Sequence, residues 1–250
     1  MKIVAVTQAR LGSKRLPKKV IKKINGETLL EIHIKRILKS SIIDSVIIAT
    51  TNEKEDDVIQ KEAIRLNVGC FRGSKNDVLD RYYNSVKEIC PDYIVRITSD
   101  CPLIDSRLVD QIIEETIKSK VDYCSNTLTE SYPDGQDIEV FTYKALKKAW
   151  KESKLNSERE HVTPYIKKNS SIFKLKSISL SDMNYSSVRI TVDELEDFNV
   201  IKMLIDNLGT DDTWESYANL YMKNTTINEH NIHIIRNEGY LMSLKNDENK

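Results

Sequence analysis

Basic side chains gather around a single glycine in the segment between residues 9 and 19. The cations are Arg10, Lys14, Arg15, Lys18 and Lys19, and the glycine is Gly12. Gly12 and Ser13 allow the backbone to bend sharply and leave amide N–H groups free to point at an anion. The segment follows an apolar run, Ile3 to Val6, of the kind that forms a buried central strand. A buried strand that leads into a basic, glycine-containing loop is a common way to hold nucleotide phosphates at the carboxyl end of an α/β sheet.

The spacing of this loop excludes two familiar phosphate motifs. It does not match GxxxxGK[ST], so it is not an ordinary P-loop, and it does not match GxGxxG, the dinucleotide fingerprint. A solvated basic loop after a first strand is the alternative interpretation, because runs of charge usually lie in water. We favour the phosphate site.

Two aspartates occupy positions that suit a divalent metal ion. Asp100 follows the apolar run Tyr93 to Ile97, and Asp193 follows the run Ser187 to Val192 and precedes a helical pattern. Both would lie at the carboxyl ends of strands, where open α/β sheets bind their ligands. Mg²⁺ takes one or two protein carboxylates and completes its octahedron with phosphate and water oxygens. The alternative role for either aspartate is to cap a helix.

The elements that must position these groups alternate between strand and helix in the first half of the chain. The predicted strands there are residues 3–6, 45–49, 68–71 and 93–97, and amphipathic helices separate them, including one that carries His33 and one that Asp77 caps. Such alternation predicts a parallel sheet with right-handed crossovers. The second half adds strands at 137–141, 172–178 and 187–192. We predict one domain over residues 1–240, with an inserted β-rich lobe at about 126–180 and a polar tail at 241–250.

Composition narrows the class of protein. The 250 residues are 40% hydrophobic, and 38 basic residues balance 38 acidic ones, so no net charge draws the chain to nucleic acid or to an anionic membrane. No apolar run is long enough to span a bilayer, and the N-terminus has a strand pattern instead of a signal peptide. The four cysteines lack metal-ligand spacing, so we expect free buried thiols in a reducing cytoplasm. For His33 we expect a packing role.

Several segments together resemble one enzyme family. ARLGSKRLPKK is similar to the N-terminal signature of the cytidylyltransferases that make CMP-activated acidic sugars, which include CMP-Kdo synthetases, CMP-sialate synthetases and the spore-coat polysaccharide protein F group. SDCPLID and TVDELEDF resemble the two metal motifs of that family. FRGSKNDVLDRY, PDGQDIEVF and EREHVTPYI resemble the spore-coat group in particular.

The resemblance implies a three-layer, Rossmann-like nucleotidyltransferase fold with a mostly parallel mixed sheet. It also implies Mg²⁺-dependent transfer of CMP from CTP to a small anionic acceptor, an acidic sugar or a phosphorylated small acid, with release of pyrophosphate, for surface glycan or capsule biosynthesis. The implied catalytic residues are Arg10, Lys19, Asp100 and Asp193, with Mg²⁺ on the two aspartates and with Lys14 and Arg15 as weaker phosphate ligands. The implied nucleotide site comprises Ala9, Arg10, Leu11, Gly12, Ser13, Lys19, Arg72, Ser74 and Asp77.

The acceptor site is less defined. Its polar candidates are Asp137, Glu139, Arg159 and His161, and the alternative for these four is a dimer contact or plain surface. Relatives are usually dimers, so we expect a homodimer. The metal loop reads SDCP where CMP-Kdo synthetases have QGDxP, and the sugar-binding segment of sialate synthetases has no counterpart. An aminated sugar is therefore also a possible acceptor.

Two alternatives for the whole protein are a nucleotidyltransferase that uses GTP or UTP on a sugar phosphate, and a non-catalytic nucleotide-binding subunit of a glycan assembly complex.

Overall fold

A computed structural model describes residues 1–13 and 15–248 of the chain, and Lys14 lies outside the described residues. The strands are β1 Ile3–Gln8, β2 Lys23–Ile24, β3 Glu27–Thr28, β4 Ser45–Thr51, β5 Gly69–Gly73, β6 Tyr93–Arg96, β7 Tyr123–Ser125, β8 Glu139–Thr142 and β9 Leu175–Ser177. The helices are α1 Leu29–Ile37, α2 Asp57–Arg65, α3 Val78–Val86, α4 Ser106–Ser119, α5 Tyr143–Glu152, α6 Asn156–His161, α7 Pro164–Lys168, α8 Leu195–Leu208, α9 Trp214–Lys223, α10 Thr225–Asn228 and α11 Glu238–Glu248. Short 3-10 helices lie at Lys19–Ile21 and Lys54–Asp56.

Seven strands form one sheet in the order β5-β4-β1-β6-β8-β7-β9, and β2 pairs with β3 in a separate hairpin. The pairs on the β5 side of β6 are parallel, β8 is antiparallel to both of its neighbours, and β9 is parallel to β7. The sheet is therefore mixed and mostly parallel, as predicted. Because β8 is reversed, its first residue, Glu139, lies opposite Arg96, the last residue of β6.

Apolar side chains of β1 alternate between two cores, as a strand buried on both faces requires. Ile3 and Ala5 belong to one core, which packs against α1, α2, α4, α8 and α9. Val4 and Val6 belong to the other core, beneath α3, α5 and α7. The resulting helix–sheet–helix layers confirm the predicted fold class.

Three expectations about the second half of the chain were wrong. Residues 126–180 do not form a β-rich lobe, because β8 and β9 join the main sheet and helices α5, α6 and α7 fill the interval between them. The segment 187–192 is extended, but its one ladder contact is an isolated bridge between Asp134 and Arg189. The polar tail expected from residue 241 is helical as far as Glu248 and docks against α6.

The predictions for the cap of α3, for His33 and for the cysteines were mostly right. Asp77 caps α3 by accepting a hydrogen bond from the Asp80 amide at 2.9 Å. His33 is fully buried in α1. All four cysteines are free, but only Cys101 and Cys124 are buried, whereas Cys90 is exposed. Among the described residues, no helix has both the length and the apolar character needed to cross a membrane.

Candidate active site

The loop after β1 is held by a buried carboxylate that the sequence analysis missed. The Leu11 amide donates to Asp56 Oδ1 at 2.8 Å, and the same carboxylate accepts a hydrogen bond from the Thr51 hydroxyl at the end of β4. The Ser13 and Lys18 amides both donate to the Leu11 carbonyl, at 2.8 and 3.0 Å. Leu11 is therefore the fixed point around which the basic loop turns.

This arrangement leaves part of the loop available to a ligand. The amides of Arg10 and Gly12 donate to no acceptor among the described residues, and the exposed Arg10 side chain forms no ion pair with them. A Cβ atom at Gly12 would lie 3.1 Å from Glu55 Oε1, so the backbone passes close to the neighbouring loop there. Ala9 is buried, and its amide donates to Ala49.

Lys19 reaches inward from the end of the loop and joins the two predicted metal ligands. Its Nζ lies 2.8 Å from Asp193 Oδ1, 2.8 Å from the Val192 carbonyl and 3.4 Å from Asp100 Oδ2. Three of the four side chains predicted to be catalytic therefore meet at one point. Arg15 adds a second cation, with Nη2 at 3.0 Å from Asp193 Oδ1.

Backbone contacts fix the two aspartates relative to each other. The Asp100 carbonyl accepts hydrogen bonds from the Val192 amide at 2.8 Å and from the Thr191 hydroxyl at 3.0 Å. Beneath this loop, His33 Nδ1 lies 2.8 Å from the Cys101 carbonyl and His33 Nε2 lies 3.0 Å from the Thr7 hydroxyl. The Nδ1–H tautomer satisfies both contacts, with Nε2 as the acceptor. Burial lowers the pKa of His33 to about 4, so the ring is neutral near pH 7.

Arg189 organises the other side of Asp193. Its guanidinium forms a bidentate pair with Asp197, at 2.8 and 2.9 Å, and contacts Asp134 Oδ2 at 2.6 Å and Asp193 Oδ2 at 3.6 Å. Asp197 also accepts hydrogen bonds from the amides of Asp193 and Glu194. Burial opposes ionisation of Asp197, but the bonds from Arg189 outweigh it and lower its pKa. A network in which one guanidinium contacts three carboxylates thus sets the position of Asp193.

The electrostatics of the centre favour the charged forms of both partners. Burial by itself would raise the pKa of Asp100, but attraction to Lys19 and a hydrogen bond from Thr98 lower it to about 2. Burial likewise opposes the charge on Lys19, yet the two carboxylates raise its pKa above the usual value. The ammonium of Lys19 therefore sits as a cation between two carboxylates.

Arg72 and Ser74, which were predicted to approach the nucleoside, lie across β4 from the basic loop. Arg72 donates to the Thr51 and Glu53 carbonyls, both at 2.9 Å, and pairs with Asp57, so it binds the 51–57 loop. The Ser74 carbonyl accepts a hydrogen bond from Arg81. The structure does not bring the side chain of Arg72 to the basic loop, and its nucleoside role stays a prediction.

Arg81 is a buried arginine that the sequence analysis did not single out. It is 2% exposed, forms no carboxylate pair within the described part of the chain, and lies close enough to Arg10 for their charges to repel. Burial is the main cause that lowers its pKa. An anion near Arg10 would therefore compensate two cations at once.

The four acceptor candidates divide between two clusters. Asp137 pairs with Arg236, at 2.5 Å, and faces the acidic groups Asp100 and Asp134. Glu139 is buried and pairs with Arg96, while the hydroxyls of Tyr123 and Thr163 donate to its Oε1 at 2.6 and 2.5 Å.

Helix α6 carries the other two acceptor candidates. Arg159 pairs with Asp77, at 2.5 Å, and donates to the Trp150 carbonyl at 2.8 Å. Nε2 of His161 lies 3.1 Å from the Ser243 hydroxyl of α11. Among these four candidates, Glu139 lies near both Asp137 and His161, whereas Arg159 is held apart by Asp77.

The family model for cytidylyltransferases matches residues 4–234. The chain belongs to the cytidylyltransferase family. It is 30% identical to the spore coat polysaccharide biosynthesis protein SpsF of Bacillus subtilis, over 83% of this chain and 88% of that protein. It is 44% identical to an uncharacterized protein of Methanocaldococcus jannaschii, over 80% of this chain and 82% of that one.

Solved structures agree with this assignment. A cytidylyltransferase from Leptospira borgpetersenii superposes with a TM-score of 0.86 at 33% identity and covers 91% of this chain and 96% of its own. A CMP-2-keto-3-deoxy-manno-octonic acid synthetase complexed with CTP shares the fold, with a TM-score of 0.64 at 15% identity over 83% of this chain and 99% of that one. This cytidylyltransferase is therefore a nucleotidyltransferase by family, and Lys19, Asp100 and Asp193 are the centre of its candidate site.

Proposed function

We propose that this protein is an Mg²⁺-dependent cytidylyltransferase that transfers CMP from CTP to a small acidic acceptor and releases pyrophosphate. One observation carries the proposal: Lys19 Nζ joins Asp100 and Asp193 at the carboxyl end of the central sheet, directly after a basic loop with unused amides. Ligands of open α/β sheets bind at this edge. The site therefore offers cations and N–H groups to a triphosphate next to carboxylates that suit a metal ion.

The residues present fit Mg²⁺. The two carboxylates already share one cation, the Lys19 ammonium, at 2.8 and 3.4 Å. No group of three or more metal-ligating side chains forms within residues 1–13 and 15–248. An ion here would rely on Asp100, Asp193 and oxygens of substrate and water, which is how Mg²⁺ usually binds. When bound, it would supply positive charge to the α-phosphate.

The chain's own residues supply positioning and charge in this reaction. An acceptor oxygen forms a bond to the α-phosphorus of CTP while the bond to the β-phosphate oxygen breaks, and pyrophosphate leaves with that oxygen. Such a transfer depends mainly on alignment and on neutralised phosphate charge. Arg10 and Lys19 would bind phosphate oxygens, and the amides of Arg10 and Gly12 would donate to them. Lys19 would exchange part of its contact with the carboxylates for the triphosphate.

Names of relatives support a sugar acid as the acceptor and glycan synthesis as the process. Matching proteins include a spore coat polysaccharide biosynthesis protein and a 3-deoxy-manno-octulosonate cytidylyltransferase, the latter 28% identical over 82% of this chain. We assign acceptor binding to the edge that holds Asp137, Glu139 and His161. Their mixed charges suit an acceptor with hydroxyl or amino groups besides its acid group.

Pyrophosphate release tests this proposal directly. We expect release with CTP and Mg²⁺ in the presence of an acidic sugar or phosphorylated acid, and much less with ATP, GTP or UTP. Preference for GTP or UTP would replace the cytidylyl assignment. Binding of CTP without release across the acceptor panel would favour a non-catalytic subunit.

We also propose that the enzyme is a cytoplasmic homodimer. The free state of all four cysteines suits a reducing compartment. Arg159→Ala separates acceptor binding from dimer contact, because an acceptor role predicts a raised acceptor KM at unchanged mass, whereas a dimer role predicts a lower mass by light scattering. If neither quantity changes, Arg159 serves only to hold Asp77.

A further inference from the structure

A C-terminal strap, defined here as residues 236–248, lies beyond the family match at 4–234 and contacts both the basic loop and α6. Glu238 pairs with Arg15 of the basic loop at 3.1 Å. The Tyr240 ring packs edge-on against the His161 ring, with centroids 5.0 Å apart, and the Ser243 hydroxyl donates to Glu160. The strap thus covers the acceptor side of the site with an aromatic ring and a hydroxyl.

The backbone under the strap is strained. Val162 is buried and adopts φ 71 and ψ −53, a γ-turn closed by the hydrogen bond from the Thr163 amide to the His161 carbonyl at 2.8 Å. A β-branched residue rarely adopts positive φ, and strain of this kind concentrates at functional sites. The turn directs His161 toward the strap and the Thr163 hydroxyl toward Glu139.

Two cations beside this turn share one buried carboxylate. Arg96 and Lys167 both pair with the single carboxylate Glu139, Lys167 through Nζ at 3.6 Å. Glu139 is fully committed, since burial opposes its charge but Arg96 and Lys167 lower its pKa to about 2. The neutral ring of His161 adds no charge near pH 7, because burial lowers its pKa to about 4. Lys167 therefore shares its buried partner with Arg96.

Of these two cations, Lys167 is the more accessible one. Arg96 is 13% exposed, and its buried Nε has no hydrogen-bond partner among the described residues, whereas the Lys167 side chain is 30% exposed. The Lys167 ammonium also lies 5.8 Å from the centroid of the Tyr240 ring. An anion beside Lys167 would therefore sit between α7 and the strap.

We propose that Lys167 binds the acid group of the acceptor, a carboxylate or a phosphate, while Tyr240 covers the carbon skeleton of the acceptor next to His161. A lysine ammonium recognises either anion as a point charge, and an aromatic ring supplies apolar contact with a polar tip. The inference rests on the proposed function and names two residues that set acceptor selectivity. It places the acid group away from the acidic cluster of Asp100, Asp134 and Asp137.

The test compares two neighbouring lysines of α7. Lys167→Met removes the proposed contact, and Lys168→Met removes an exposed charge from the same helix. The probes are 3-deoxy-manno-octulosonate for a carboxylate and glycerol 3-phosphate for a phosphate. Acceptor KM at saturating CTP, or the calorimetric Kd of each acid where turnover is absent, is measured beside the Kd for CTP and the thermal midpoint.

We expect Lys167→Met to weaken binding of the preferred acid by about ten- to a hundredfold, as for loss of a charged hydrogen bond, with an unchanged Kd for CTP. Lys168→Met should match the wild type, and Lys167→Arg should restore much of the affinity. Tyr240→Ala should weaken the same acid, whereas Tyr240→Phe should not. The probe that binds wild type more tightly identifies the acid as carboxylate or phosphate.

Three results would overturn the inference. One is equal behaviour of the two lysine variants. Another is an equal loss of CTP affinity in Lys167→Met, which indicates general damage. The third is wild-type protein that binds CTP but neither acid up to about 10 mM, which corresponds to an affinity too weak for recognition. Failure of wild type to bind CTP would instead contradict the proposed function.

Discussion

Lys19 Nζ lies 2.8 Å from Asp193 Oδ1, although 174 positions separate the two residues in the chain. The pair brings the loop after the first strand to the segment before α8. We expect Lys19→Met to lower kcat/KM for CTP. The corresponding rise in activation free energy should be ~2–4 kcal/mol, since one preorganised electrostatic donor contributes about that much. Steady-state pyrophosphate release measures it. Lys18→Met is the control, because Lys18 is exposed on the same loop. Equal losses of kcat/KM in both variants would contradict a specific role for Lys19 in binding the triphosphate.

Asp193→Ala should abolish most turnover with little loss of fold. The carboxylate is 23% exposed, and Arg189 keeps its bidentate pair with Asp197 in its absence. We expect a fall in kcat of at least ~10²-fold, the usual scale for loss of one electrostatic group at a reacting centre. Asp206→Ala, on the exposed face of α8, is the control. Wild-type kcat at saturating Mg²⁺ would contradict the metal assignment.

Gly135→Ala should destabilise the protein strongly. Gly135 has φ 110, and an added Cβ would lie 2.6 Å from the backbone of Ile190. The extended segment before Asp193 would have to move away from the turn at Asp134, so we expect a loss of about 3 kcal/mol in the free energy of unfolding.

Gly209→Ala is the matched control for that substitution. Gly209 also has a positive φ, of 75, but a Cβ there would meet nothing within 4 Å. Its cost should be smaller than that of Gly135→Ala, because only the backbone conformation, with φ 75 and ψ −169, contributes to it. Urea unfolding measures the stability of both variants. Equal midpoints would mean that the contact between an added Cβ at Gly135 and the Ile190 backbone does not lower the free energy of unfolding.

His33 should make stability fall as the pH drops from about 6.5 to about 4. Burial lowers the pKa of His33 to about 4, below its usual value of 6.5, so the unfolded chain binds a proton in this range that the folded protein does not. Stability is complete above the unfolded pKa and declines by up to about 3 kcal/mol as the pH falls through the folded pKa. Denaturant unfolding of His33→Gln should show a shallower slope over this window. An unchanged slope would assign the effect to other groups, such as His161.

The residues at the centre of the candidate site were the easiest to find from sequence. Lys19, Asp100 and Asp193 stand in short motifs, and their convergence follows from strands that end at one edge. Arg189 and Asp197 were missed, since nothing in TVDELEDF distinguishes an aspartate that meets solvent from one that holds a buried arginine. Asp56 was missed for the same reason, because it is one acid among several in the loop after β4.

The second half of the fold was harder to predict for a different reason. Alternating residues around 172–178 indicated a longer strand than β9, which pairs only over Leu175–Ser177. Tertiary contacts decide such short segments, and propensity is a weak guide to them. The helix α11 was misjudged because its stability comes from contacts with α6, such as Asp247 with the amides of Asn156 and Ser157, and these do not show in a polar sequence.

The reversed strand β8 means that two walls of the candidate site are built in different ways. On the parallel side of the sheet, segments that face the site follow their strands, whereas at β8 the segment that faces the site precedes it. The turn in that segment is bound to the other wall, because Asp134 contacts Arg189 and its amide and carbonyl form hydrogen bonds with the backbone of Val188 and Ile190. A change in the length of this turn would therefore also shift the segment that carries Asp193.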